Sequence, residues 1–319
     1  MDGPGVIDQG QHAGPIAPLP VVTYEPDSFA RSLPDCLESD FVRCGPGDGP
    51  ARVEQVVIGD LTVSFVEFGF PVSSRIESDG VVAVARILKA PAKARWGDAD
   101  LAAGQIRSMG PKRHHCGFNP AGVVTLGVFF DADLVREVSD LLGHRVDVDN
   151  LVGPLNAGPE LNAAFDDVAE TLARPGGHSI DERRLQEDLL AAVAWTARQD
   201  PSGAGWTRSF VTSDQIVDRC LDFARSTSTW QPGLADLCRA AGMSERRVRS
   251  AFLDATGMAP SRYLRVLALN RARTMLQQVQ KDSTTVTAVA DELGFHHLSR
   301  FAHNYRALFD EYPSDTLRA

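Results

Sequence analysis

The chain has no apolar run approaching the roughly 18 residues that a helix needs to cross a bilayer. It also has no CxxC pair and no Lys or Arg among its first twenty residues. Each absence removes a class of protein. Without a long apolar run no membrane span is expected. Cys36, Cys44, Cys116, Cys220 and Cys238 are scattered and odd in number, which argues against a disulfide framework and a zinc knuckle and leaves reduced, structural thiols. The opening stretch MDGPGVIDQGQHAGPIAPLP lacks the basic start and apolar centre of a signal peptide. Its Gly and Pro content predicts a disordered N-terminus over residues 1–24 and a cytoplasmic protein. Aromatic residues make up 7% and charged residues 23% of 319 positions, ordinary for a soluble chain with room for two buried cores.

Positive charge is also short: 32 Lys and Arg stand against 42 Asp and Glu, a net of -10, which would repel a phosphate backbone. The deficit is uneven. From Asp214 onward 14 basic residues meet 12 acidic ones, against 18 and 30 in the remainder. Between Ser244 and Arg273 seven arginines face only Glu245 and Asp254. A local basic footprint on an acidic chain points to nucleic acid for that segment alone.

The same segment is written twice. Residues 234–265 return 52 to 53 positions later, with Leu237 matching Val289, Gly242 matching Gly294, Val248 matching Phe301, Phe252 matching Tyr305, Pro260 matching Pro313 and Arg265 matching Arg318. Each copy reads as a helix, a glycine-centred turn and a second amphipathic helix, the helix-turn-helix pattern. In the first copy Val248, Ala251, Phe252 and Ala255 share the inward face, and Arg246, Arg249 and Ser250 the outward one, with Arg247 beside them. A guanidinium can take guanine O6 and N7 in bidentate fashion, so Arg246 and Arg249 are the leading base readers. The second copy leaves His297, Arg300, His303 and Asn304 outward, with Arg300 the expected base contact and Asn304 able to pair with adenine. Between the copies, Pro260 opens a helix to about Val279, roughly 30 Å long, close to one turn of DNA.

Upstream, residues 52–58, 61–70, 81–88 and 123–130 are short runs dense in β-branched and aromatic side chains, which predict a sandwich or barrel. Helical spacing follows at Leu134, Val138, Leu141 and Leu142 after Asp131, a candidate cap, and again over 160–173 and 181–198. These helices either pack on the β part or meet their counterparts in a second subunit. Residues 199–207, with Pro201, Gly203 and Gly205, read as a linker.

The strings SERRVRSAF and GMAPSRYLRVLALNRAR, together with the YPSDTLR ending, resemble the AraC/XylS family of bacterial transcription regulators over about the last 105 residues. The resemblance implies seven helices, two DNA-reading units joined by a linker helix, and an N-terminal domain that senses a ligand and often dimerises. Ser250 and His303 stand where that family usually has Arg, and Asp310 where Gly is common. The N-terminal part is similar to the cupin-like sensors of the family, the ethanolamine-regulator branch in particular, through LAAGQIRSMGP.

The expected architecture is therefore an α+β two-domain chain. A cupin-like β-barrel with a helical dimerisation region occupies 25–200, a linker 201–212, and an all-α double helix-turn-helix domain 213–319. Its expected function is sequence-specific regulation of transcription, as an activator by family resemblance, on double-stranded promoter DNA. Expected partners are a small-molecule effector, a second copy of the chain and RNA polymerase; control by a protein partner stays open. Arg86, Trp96, His114 and Phe118 are candidate pocket residues, an aromatic wall with polar anchors. Neighbours in a strand face opposite ways, so of His114, His115 and Cys116 at most the outer two could share an ion, and no metal is expected. Neither Cys36 nor Cys44 has the companions that a nucleophilic thiolate requires, so no enzyme and no cofactor are expected.

Overall fold

The computed structural model describes residues 21–23, 37–47, 49–78, 80–96, 99–111, 114–143, 146–155, 158–173, 182–199, 212–227, 230–278 and 284–318. Most of the expected linker and of the N-terminal stretch lies outside them. Val21–Thr23, assigned by composition to the disordered N-terminus, instead forms a strand, β1.

The other strands are β2 (Leu37–Arg43), β3 (Ala51–Ile58), β4 (Leu61–Glu67), β5 (Val72–Ser78), β6 (Val81–Lys89), β7 (Ala94–Trp96), β8 (Ala99–Leu101), β9 (Ile106–Met109), β10 (His114–Asn119), β11 (Val124–Asp131) and β12 (Val152–Leu155). They pair antiparallel into two sheets, β1-β3-β4-β11-β6-β9-β12 and β2-β5-β10-β7-β8. The expected barrel does not close. Closure needs an unbroken ladder around the circumference, whereas each sheet here ends in edge strands and the two are joined by packing of their inner faces. Phe41, Val72, Ala94 and Leu101 of the smaller sheet meet Ala51, Val53, Val66 and Ile87 of the larger in one apolar cluster.

Strand alternation builds a second core behind the larger sheet. Leu126, Val128 and Phe130 face away from the inner layer and pack with Val82 and Val84 against helices α1 (Ala132–Leu141), α2 (Pro159–Ala173) and α3 (Glu182–Gln199). Asp131 caps α1 as expected, accepting from the backbone N–H of Asp133 and Leu134. Leu185, Leu189, Ala192 and Val193 of α3 are buried in this core.

Seven described helices follow: α4 (Ser213–Ser226), α5 (Leu234–Ala241), α6 (Glu245–Thr256), α7 (Pro260–Gln278), α8 (Val286–Glu292), α9 (Leu298–Phe309) and α10 (Pro313–Arg318). The cap of α4 is Thr212 in a reciprocal box with Gln215. The repeat holds in three dimensions. Gly242 and Gly294 both have positive φ after the first helix of their unit, where glycine avoids the Cβ clash of the left-handed region. Val248 and Phe301, then Phe252 and Tyr305, occupy equivalent buried sites.

The outer face of the smaller sheet packs directly on these helices. Val42, Cys44 and Cys116 belong to the same apolar cluster as Ile216, Phe252, Tyr263 and Leu264. Polar contacts line that seam. Asn270 of α7 accepts from the Arg43 N–H at 3.1 Å and donates to its carbonyl at 2.9 Å, so its amide extends the edge of β2. Arg75 of β5 pairs with Asp218 of α4 at 2.9 Å. The molecule is thus layered: helices, large sheet, small sheet, helices.

Candidate functional site

The second helix of each unit offers a polar face opposite its core. On α6, Ser244 caps the start, accepting from the Arg247 N–H at 3.4 Å, and Val248, Ala251, Phe252 and Ala255 point inward. Arg246, Arg249 and Ser250 are exposed. Arg246 has no ion pair among the described residues, whereas Arg249 lies 3.8 Å from Glu245 one turn away. Arg247 turns inward, its Nη1 donating to the Ser213 hydroxyl at 3.4 Å. On α9, Arg300 and His303 are exposed, Asn304 is half-buried, and His297 occupies the cap position without a side-chain hydrogen bond. In the 53-residue register of the repeat Arg300 is the counterpart of Arg247, so the same position folds back in one unit and projects into solvent in the other.

The far end of α6 is held by the sheet. Arg95 of β7 donates through Nη1 to the Leu253 carbonyl at 2.9 Å, and its Nη2 lies 3.4 Å from Asp254. Asp254 also accepts from Ser250 at 3.2 Å and from Ser213 at 3.4 Å. A cation at a helix C-terminus is favoured by the helix dipole. The contact lies at the C-terminal end of α6, away from Arg246 and Arg249 in its first turns.

The effector-pocket candidates separate. A cavity of about 90 Å³ lies between the two sheets, and Trp96 lines it. Arg86, one residue out of phase, faces the outer helices and pairs with Asp166 of α2 at 2.5 Å. Phe118 packs against Gly257 at the end of α6. His114 pairs with Glu77 through the backbone of β10, and its side chain lies outside the described residues. The residue that sequence reasoning missed is Arg107, which enters the cavity from β9. It sits inside the LAAGQIRSMGP string, and its spacing to Met109 marks it as a charge on an inward-facing strand position. Among the described residues no group of His, Cys, Asp and Glu could hold a metal ion. Burial pushes the Cys44 thiol up to about 12, the opposite of what a nucleophile requires.

A family described as a helix-turn-helix domain matches residues 237–319. Transcriptional activator 2 of the XylDLEGF operon of Pseudomonas putida is 34% identical over 110 residues, which cover 34% of this chain and 70% of that protein. The chain belongs to the AraC/XylS family. Another relative, the XylDLEGF operon transcriptional activator of the same organism, is 31% identical over 142 residues, 44% of each chain. This AraC/XylS chain therefore spans less than half the length of the first curated relatives it matches. The solved AraC-like transcriptional activator CuxR is 14% identical, with 85% of this chain and 98% of that one covered and a TM-score of 0.41.

Two positions where the AraC/XylS resemblance breaks have structural counterparts. Ser250, in place of Arg, hydrogen-bonds Asp254 within α6. Asp310, in place of Gly, ends α9 in the left-handed conformation at φ 62°. No described helix is long and apolar enough to cross a membrane.

Proposed function

We propose that this AraC/XylS protein is a sequence-specific DNA-binding transcription activator, with α6 and α9 as its two reading helices and the β sandwich as a cupin-like sensor that governs them. The observation that carries the reading is Arg246 near the N-terminus of α6, exposed and without an ion pair among the described residues, repeated in kind by the exposed Arg300 on α9. The names of the relatives, each a transcriptional activator, support activation. The linker helix α7, 19 residues and so about 28 Å, suits two helices entering successive major grooves.

The cavity between the sheets supports control by a small molecule over control by a protein partner. A route to the DNA helices runs through β7: Trp96 faces the cavity while Arg95, its neighbour on the opposite face, grips α6. An effector that shifts β7 would move the end of a reading helix, giving ligand and DNA a reason to favour different arrangements. Homodimer assembly, contact with RNA polymerase and a cytoplasmic location belong to the same proposal.

The test uses the full chain and a duplex selected from a random pool. Arg246→Ala is expected to cost about 1–3 kcal/mol and to relax preference at one base pair. Fluorescence anisotropy over a series of single-base variants and salt concentrations reads both. Equal loss on every duplex would reassign Arg246 to phosphate, and wild-type binding with neither sequence preference nor salt dependence would overturn the reading.

A further inference from the structure

One row of side chains across the larger sheet has little bulk at its centre. Register sets Ser64 of β4 opposite Gly127 of β11, Gly127 opposite Ala85 of β6, and Ala85 opposite Arg107 of β9. All four face the cavity. Adjacent strands lie about 4.8 Å apart, so the row runs roughly 14 Å between its end Cα atoms. Glycine and alanine in its middle leave a bare floor, while Phe129, Met109 and Ile76 supply apolar walls.

The end of the row is charged. Arg107 is only 4% exposed. Its Nη1 donates to the Trp96 carbonyl at 2.7 Å, and the guanidinium stacks 5.2 Å from the Trp96 ring centre. Among the described residues its Nε has no acceptor, and no carboxylate lies within ion-pair distance. Burial pushes its pKa down to about 10, partly opposed by the charge of Asp214, so the group remains a cation at neutral pH. At the other end the Ser64 hydroxyl is also buried without a partner among the described residues. A buried cation with an unused donor is costly unless something completes it, and an unsatisfied buried group calls for a reason.

We propose that this cavity binds a small organic monoanion, a carboxylate whose head takes the Nε edge of Arg107 and whose apolar body lies over Ala85 and Gly127. The ligand class rests on reading the sandwich as a sensor. A guanidinium edge matches a carboxylate in planar, two-point fashion. The surrounding apolar walls give a second negative charge no counterpart, which disfavours a dianion.

Calorimetric titration of the full chain with phenylacetate, octanoate and 3-phenylpropionate, each beside its neutral amide and beside inorganic phosphate, tests the assignment. At least one carboxylate is expected to bind and to raise the unfolding temperature, with its amide and phosphate at least about tenfold weaker. Arg107→Gln should weaken that carboxylate roughly ten- to hundredfold. Ala85→Leu fills the floor beside Arg107 while keeping its charge, so it should abolish binding while keeping the unfolding temperature at or above wild type; it keeps the test open if Arg107→Gln fails to fold. Equal affinity for amide and acid, undiminished binding in a folded Arg107→Gln, tighter phosphate binding, or no binding by any carboxylate would overturn the proposal. DNA affinity is read separately. A chain that binds carboxylates while its DNA binding ignores them keeps this site and loses effector control, and one that binds operator but no carboxylate keeps DNA regulation and loses the site.

Discussion

Arg246 and Arg247 are neighbours with opposite fates, because a helix turns about 100° per residue. Arg246 projects into solvent, and Arg247 returns to Ser213 at the start of α4. The basic run was legible in the sequence, but which of its members stays free depends on where α4 packs. Asp310 is a second case. It ends α9 at φ 62°, and its repeat mate Gly257 ends α6 at φ 71°. An L-residue in that region carries a steric penalty that glycine avoids. Asp310→Gly is therefore expected to stabilise the protein by roughly 0.5–1 kcal/mol, the unfolded-state entropy of glycine offsetting part of the gain. Urea unfolding measures this, and a lower midpoint in the variant would mean that the Asp310 side chain contributes more than its backbone strain costs.

At the scale of elements, what the sequence announced and what it hid divide by chemistry. Strands β3, β4, β6 and β11 and the three described helices of the N-terminal half carry the apolar periodicity that predicts them. Strand β5 reads VSSRIES and buries Ser73, Ser74 and Ser78, so apolar density gives no warning of it. Strands β7 and β8 have three residues each, too few for a pattern, and exist because the sheet pairs them. The cavity was hidden for the same reason: Ser64, Gly127, Ala85 and Arg107 become neighbours only through strand order. Short β7 joins cavity to helix, so its grip on α6 should be measurable. Arg95 and Asp254 are each about a quarter to a third exposed, which places their pairing near the weak end for ion pairs. A double-mutant cycle with Arg95→Ala and Asp254→Asn is expected to give a coupling of about 0.5–1 kcal/mol after solvent screening. A coupling of zero would leave the Leu253 carbonyl as the contact that matters.

For the whole molecule, the two halves expected as separate domains share a core, and its thiols report on that. Cys44, just past the end of β2, and Cys116 of β10 lie in the cluster built by α4, α6 and α7. Burial raises Cys44 from an ordinary 9.0 to about 12, and Cys116 well above the same value, the latter helped by the nearby charges of Asp214 and Asp218. In the unfolded chain both thiols ionise near pH 9, while in the folded chain they hold their protons. The folded state then binds more protons than the unfolded one, so stability is full below pH 9 and falls as pH rises toward 12. Each thiol accounts for about 1.4 kcal/mol by pH 10. Tyr263, also buried at this seam and raised in pKa by burial, extends the loss above pH 10. Urea midpoints in reducing buffer at pH 7.5 and pH 10 should record the drop, and a folded variant with Cys44→Ala and Cys116→Ala should lose the part due to these two thiols, keeping that of Cys220, which burial also raises to about 12. A drop of equal size in that variant would place the alkaline sensitivity elsewhere and remove the shared core as its cause.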